Sequence, residues 1–410
     1  MSENADTGLY AANTPSCFWR VLTEPAPTPA EWDAAVRTAA RVLPPAARAA
    51  GSDIETLLFN TLGEGQFGPN HWRLSPIKRA YYEVKPLLPR ALTRSLRRLS
   101  RGIIERSFSL GWPIEDRYAR FQWAVVHELL KTTDRHELSY IDFWPEGRPF
   151  AFGLTHDVET AEGQSFVRAV ADLDASYGFR SLFNFVAEDY RLDAGLMDEL
   201  RERGFEVGVH GLHHDGKTFR SASEFLGQAE RINRHLQQFK ALGFRAPLTH
   251  RNPGWMQALD MDYDLSFFDT DPYEPVAGGT MSLWPFTVGR FLELPYTLVQ
   301  DHTLTEVLKE TTPRIWLEKV DFIRRYSGMA LVITHPDYLR NPTSWRMYAD
   351  FLRVMRNRAD FWHALPRDLA GWWRARLTAT SVDRLPGGVA RVIALREAPE
   401  LRQSVVSRAG

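Results

Sequence analysis

The chain has one cysteine, Cys17, in 410 residues, so neither an intrachain disulfide framework nor a cysteine-based zinc knuckle is available to it. It has no run of about 18 uninterrupted apolar residues, and its first residues, MSENADTGLYAANTPSCFW, carry neither the basic start nor the apolar stretch of a secretory signal. It has little excess charge of either sign: 50 Lys and Arg stand against 51 Asp and Glu, a formal net charge of −1. A dedicated nucleic-acid binder needs a clear surplus of cations to neutralise phosphates, so no nucleic-acid partner is expected. Internal repeats and long low-complexity segments are also missing. These absences imply a cytoplasmic location. With 44% hydrophobic residues, the chain can bury a sizeable core.

What is present is a set of polar residues placed between apolar runs. The stretch 154–159 reads LTHDVE, and about fifty residues later 207–215 reads VGVHGLHHD. Two imidazoles spaced i, i+4, His210 and His214, can bind one divalent cation, with Glu159 as a third ligand and one position left open for water. Asp157, two residues before Glu159 on an extended strand end, faces the same side and is placed to take a proton. An HxxxH pair alone is more often structural than metal-binding. The zinc-protease form is excluded because Gly211 follows the first histidine.

From 150 onward short β-like runs alternate with helical ones, as in a parallel α/β sheet or barrel. The runs 150–156, 180–186, 205–210, 243–247, 263–268, 291–297 and 329–335 read as strands. Helices are expected at 194–203, 221–242 and 313–326, and two more after the last strand. Asp157, His210, Arg245 and His335 each fall at or just beyond the C-terminal end of a proposed strand, the rim on which α/β-barrel sites are built.

The organisation expected is a flexible lead (1–25), a mainly helical N-terminal extension (26–148), the barrel (149–376) and a tail (377–410). The extension is expected to flank the barrel and shape the cleft, so that deleting it leaves metal content intact. Within it, 86–106 reads as a helix with Leu88, Leu92, Leu96, Leu99 and Ile103 on one stripe and five arginines largely on another. Its plain reading is a solvated face. Its sharper reading is peripheral contact with anionic lipid at the inner face of the membrane.

LTHDVE, HGLHH, GFRAP, ELPYTL and LVITHPDY, in this order and at strand ends, resemble the polysaccharide deacetylase family, the NodB-homology group or carbohydrate esterase family four, over about 149–372. The resemblance implies a distorted (β/α)7 barrel with the helical extension and C-terminal closing helices added. It also implies a hydrolase that removes N- or O-acetyl groups from sugars with one divalent metal, usually zinc. By position, Asp157 would be the general base, Glu159, His210 and His214 the metal ligands, and Arg245 the residue orienting the base. His335 would be the general acid, and the Leu248 N–H would help hold the oxyanion. The usual TFDD becomes here a D-x-E form, with Val158 between the acids. Substrates expected are an acylated amino sugar or a lipid-linked glycan precursor in cell-surface polysaccharide assembly. The alternatives are a sugar deformylase, a cyclic-amide hydrolase or a non-catalytic carbohydrate-binding descendant.

Some assignments stay open between two residues. Asp301 or Asp269 would hold His335 protonated, and Arg251 competes with Arg245 beside the base. Trp255, Trp284 and Tyr273 are candidate sugar-stacking or substrate-facing aromatics, against the plain expectation that most aromatics are core.

Overall fold

Residues 150–158, FAFGLTHDV, form a strand whose every residue is buried, as expected where both faces of a parallel sheet are covered. This strand, β2 (Phe150–Val158), organises the molecule. The computed structural model describes residues 7–48, 53–74, 78, 104–358 and 360–394. Six further strands run parallel around it: β3 (Leu182–Phe185), β4 (Glu206–Val209), β5 (Gly243–Phe244), β6 (Tyr263–Asp264), β8 (Phe291–Glu293) and β9 (Met329–Thr334). The pairing order is β2-β3-β4-β5-β6-β8, with β9 on the other side of β2. The ring is completed beyond β8 by main-chain amides of Thr297 and Leu298, which donate to the Leu331 carbonyl at 3.2 and 3.1 Å.

This is a seven-stranded, distorted α/β barrel, and the distortion has visible causes. The strands β5 and β6 are two residues long, and β2 is shared, its first three residues pairing with β10 (Phe361–His363) and its last four with β3. A short antiparallel strand, β7 (Phe286–Val288), flanks β8. The helices Ala161–Ser176, Ala194–Glu202, Ala222–Gln238 and Arg314–Arg325 lie between strands. The first three begin at a side-chain cap, supplied by Thr160, Asp193 and Ser221. Helices Pro342–Arg356 and Pro366–Thr378 follow the last barrel strand, on either side of β10.

The two ends of the chain depart from expectation. Rather than a flexible lead, residues 8–19 form a 3-10 turn (Gly8–Asn13) and a helical turn (Pro15–Trp19) with Tyr10 and Trp19 fully buried. The Trp19 indole N–H reaches the Gln122 carbonyl at 3.2 Å, which satisfies its one polar atom inside the core. In the expected tail, Ala390–Ala394 forms β11, antiparallel to β1 (Glu137–Ile141) of the extension. Arg376, also buried, donates to the Asp142, Phe18 and Ile141 carbonyls at 2.8 Å each. Extension and barrel thus share one hydrophobic cluster, from Tyr10 through Trp144 to Ile393. Of the basic helix expected at 86–106, only 104–106 fall within the described residues.

Candidate metal centre and active site

The site residues are brought together because parallel strands end on one rim. Glu159 follows β2 directly, His210 follows β4 and His335 follows β9. Gly211, at φ 67°, turns the chain after His210 so that His214 comes back beside Glu159, and a Cβ there would collide with Pro247. His214 Nε2 lies 3.0 Å from Glu159 Oε1. The donor atoms of Glu159, His210 and His214 all lie within 4.8 Å of one another.

His210 provides a test of whether this set suits a metal. Its Nδ1 is 3.0 Å from the Arg245 carbonyl, which can only accept, so the ring proton sits on Nδ1 and the lone pair on Nε2. That Nε2 is buried and has no hydrogen-bond partner. Burial pushes the imidazole down to about 4, so it is neutral near pH 7. An oriented nitrogen lone pair, a second imidazole and a carboxylate form a donor set that fits a divalent cation such as zinc.

Asp157 adjoins this set, with its Oδ2 3.9 Å from His210 Nε2. Its other oxygen, Oδ1, accepts from Arg245 Nη1 at 2.8 Å and from Asn184 Nδ2 at 3.0 Å. Burial would raise the carboxyl pKa, but the Arg245 guanidinium, then His210 and His335, bring it down to about 2. Burial would likewise raise the Glu159 carboxyl, but the neighbouring histidines, His214 foremost, hold it well below the usual carboxylate range.

His335 is set the other way. Burial alone would lower it, but the Asp301 carboxylate, 2.7 Å from Nδ1, with help from Glu159 and Asp157, raises it to about 10. Its Nε2 lies 3.6 Å from Glu159 Oε1. A second group, Asp301, His302 and His335, also has converging donor atoms. Its carboxylate, however, is already engaged by the His335 ring, the His335 N–H and the His302 N–H.

Asp157, Glu159, His210, His214, Leu248 and His335 all line one cavity of about 580 Å³. Leu248 and Thr249 both adopt left-handed backbone, at φ 60° and 50°, a conformation that costs a non-glycine residue about 1–3 kcal/mol and that concentrates at functional sites. The Thr249 hydroxyl donates to Glu274 Oε2 at 2.7 Å, tying this turn to a buried carboxylate in the cavity wall.

The structure separates the residue pairs that sequence left open. Asp301, not Asp269, contacts His335; Asp269 forms a buried ion pair with Lys319 Nζ at 2.8 Å. Arg245, not Arg251, contacts Asp157; Arg251 pairs with Glu64 and lies over the rings of Phe267 and Phe268. Two aromatic candidates fall away from the cavity. Trp284 is 1% exposed against Phe18 and Phe143, its N–H bonded to the Ser327 carbonyl, and Trp255 packs edge-on against Trp72. An indole offers more apolar surface than any other side chain, and the shared core takes it up. Tyr273 does line the cavity, with its hydroxyl bonded to Glu105. His156 is a core residue held between Thr334 and Asp174.

Asn184 went unnoticed in the sequence. Its one signal is a polar residue inside the apolar run LFNF, paired in register with Asp157. Glu274 and Gln300 in the cavity wall carry no readable motif.

No protein-family model matches the sequence, and no curated protein does. Solved structures do align with it. A putative polysaccharide deacetylase from Mycobacterium smegmatis is 17% identical with a TM-score of 0.47, over 57% of this chain and 93% of its own. A probable polysaccharide deacetylase from Pseudomonas aeruginosa PAO1 is 16% identical, TM-score 0.47, over 58% and 95%. An allantoinase is 15% identical, TM-score 0.47, over 58% and 94%.

Proposed function

We propose that the chain is a metal-dependent hydrolase that removes an N- or O-acetyl group from a sugar. One observation carries this reading: a carboxylate held ionised and an imidazole held protonated share a cavity with a two-histidine, one-carboxylate donor set. Glu159, His210 and His214 would hold the ion, expected to be zinc. Such an ion supplies a Lewis acid for the acyl carbonyl and lowers the pKa of water.

The protein's own groups account for the proton transfers. Arg245 and Asn184 occupy Asp157 Oδ1 and keep the group ionised, which leaves Oδ2 to accept a proton from the attacking water. Asp301 fixes the His335 Nδ1 proton, so the transferable proton is on Nε2, ready for the departing amine or alkoxide. The turn at Leu248 is the candidate to present its N–H to the oxyanion.

Elemental analysis of the purified protein tests the reading, with Glu159→Ala and His210→Ala compared against the parent. About one zinc per chain is expected, lost in both variants, with acetate released from acetylated sugars by the parent alone. No bound metal even after reconstitution would remove the hydrolase mechanism. Formate release, or ring opening of a ureido substrate, in place of acetate release would favour the related amidohydrolase activities.

A lipid-linked glycan precursor at the inner face of the membrane is the substrate setting we favour, because the arginines of 86–106 are suited to anionic headgroups. No helix of the described residues is long and apolar enough to cross a membrane. Binding to anionic vesicles at low salt, weakened by Arg94→Glu and Arg97→Glu, is the expected result. Indifference to such vesicles would rule this setting out.

A further inference from the structure

The turn that bears Leu248 is anchored on two sides. Its entry is fixed by the barrel just beyond β6, where the Ala246 N–H donates to Ser266 Oγ at 2.8 Å. Its exit is fixed by the extension. Arg251 Nη1 donates to the Thr249 carbonyl at 2.8 Å, and Nη2 of the same guanidinium bonds to the Glu64 carboxylate. His250 Nε2 donates to the Trp72 carbonyl at 2.6 Å. Between these anchors the Thr249 hydroxyl is bound by Glu274, whose other oxygen accepts from the Tyr296 hydroxyl at 2.7 Å.

These ties answer a backbone cost. Two successive non-glycine residues in the left-handed region, the second of them β-branched, persist only where the surroundings over-determine them. Glu64 and Arg251 are 6% and 2% exposed, so solvent ions screen their attraction little. The turn also divides its N–H groups. Those of Thr249 and His250 are taken by the Ala246 and Pro247 carbonyls at 3.0 and 3.2 Å, whereas the Leu248 N–H bonds to no acceptor among the described residues. Leu248 lines the same cavity as the donor set.

We propose that Arg251, gripped by Glu64 of the extension, is a positioning residue for the oxyanion: it locks the Leu248–Thr249 turn so that the Leu248 N–H meets the acyl oxygen. This rests on the proposed hydrolase reading and gives the extension a part in its chemistry. As the water oxygen bonds to the acyl carbon, the carbonyl π pair moves onto the acyl oxygen, and a donor already in place there stabilises it without reorganising. Glu64 and Arg251 touch no reacting atom and act through the turn.

The test uses the full chain loaded with zinc and 4-nitrophenyl acetate as the probe ester. The variant Glu64→Gln/Arg251→Met removes both charges of the pair, so that neither is left buried alone. Its kcat should fall about 10–100-fold, with KM within about twofold and zinc content at the parent value. Calorimetry should show methylphosphonate, a tetrahedral mimic of the intermediate, binding about tenfold more weakly, while planar acetate binds within about twofold of the parent. Arg251→Lys, which keeps a cation beside Glu64, should lie between the parent and the double variant in both readouts. Parent-like kcat and phosphonate affinity in the folded double variant would overturn the proposal, and so would equal weakening of phosphonate and acetate. If the double variant does not fold, Arg251→Lys decides by the same two readouts. A parent protein that takes up no zinc and releases no 4-nitrophenolate would instead count against the hydrolase reading itself.

Discussion

At the scale of single residues, Arg245 determines the state of Asp157. The guanidinium is wholly buried, donates to Asp157 and Thr155, and is fixed by the Leu265 carbonyl. Replacing it by methionine leaves a buried carboxylate without its charge partner, so Arg245→Met should lose about 3–5 kcal/mol in denaturant unfolding. The Asp157 pKa, about 2 in the fold against an ordinary 3.8, is a depressed one, so its stabilisation is present above pH 3.8 and disappears as pH falls towards 2. With Arg245 gone that pKa rises, and the acid limb of kcat/KM should move up by about one unit in a pH profile. A stable variant with an unchanged acid limb would mean that Arg245 does not set the base.

Between elements, the pairing of β3 with β4 places Gly208 opposite Asn184. A side chain at 208 would overlap the Asn184 carboxamide, so the glycine is the gap through which Asn184 reaches Asp157. Gly208→Ala should therefore lower kcat about 10–100-fold while zinc content stays at the parent value, as measured by steady-state kinetics alongside elemental analysis. Also on β4, Glu206 accepts from the Tyr263 hydroxyl of β6 at 2.6 Å and from the Arg367 N–H of the last helix at 3.2 Å. Burial raises its pKa from 4.5 to about 7. Between those values the fold retains a proton that the unfolded chain has lost, so stability from this group falls as pH rises from 4.5 to 7 and is level above. Glu206→Gln should flatten that slope and gain about 2 kcal/mol at pH 8, read from urea midpoints at pH 5 and pH 8. An unchanged slope would show that Glu206 titrates as an ordinary surface acid.

For the whole molecule, the shared core alters what truncation should do. The extension reads along the chain as a separable segment, whereas Trp19, Phe143, Trp284 and Trp373 lie in one cluster that runs into the barrel. Trp19→Ala should cost about 3–5 kcal/mol. Calorimetry of the full chain should show a single transition. Removal of the extension should expose the apolar face of the barrel and abolish metal binding together with the fold. Two resolved transitions, or a soluble, zinc-loaded barrel without residues 1–148, would show that the extension is an independent unit.

The sequence by itself determined those features that depend on local order. Parallel strands buried on both faces must be apolar runs, so FAFGLTHDV and MALVIT are readable as strands, and the polar residues ending them mark the rim. Within HGLHH the two histidines, and within LTHDVE the two acids, are neighbours along the chain, so each half of the ligand set is readable as a local motif. Tertiary structure decided whatever depends on residues far apart. It chose Asp301 over Asp269 and Arg245 over Arg251, because each is a choice of which buried charge has its partner within about 3 Å. It sent Trp284 into the core, paired β1 with β11 across some 250 residues, and set residues of the extension such as Phe67 and Phe108 into the wall of the site cavity. Contacts of that kind are set by how the hydrophobic faces of separate elements come to share one interior, which no short stretch of sequence records.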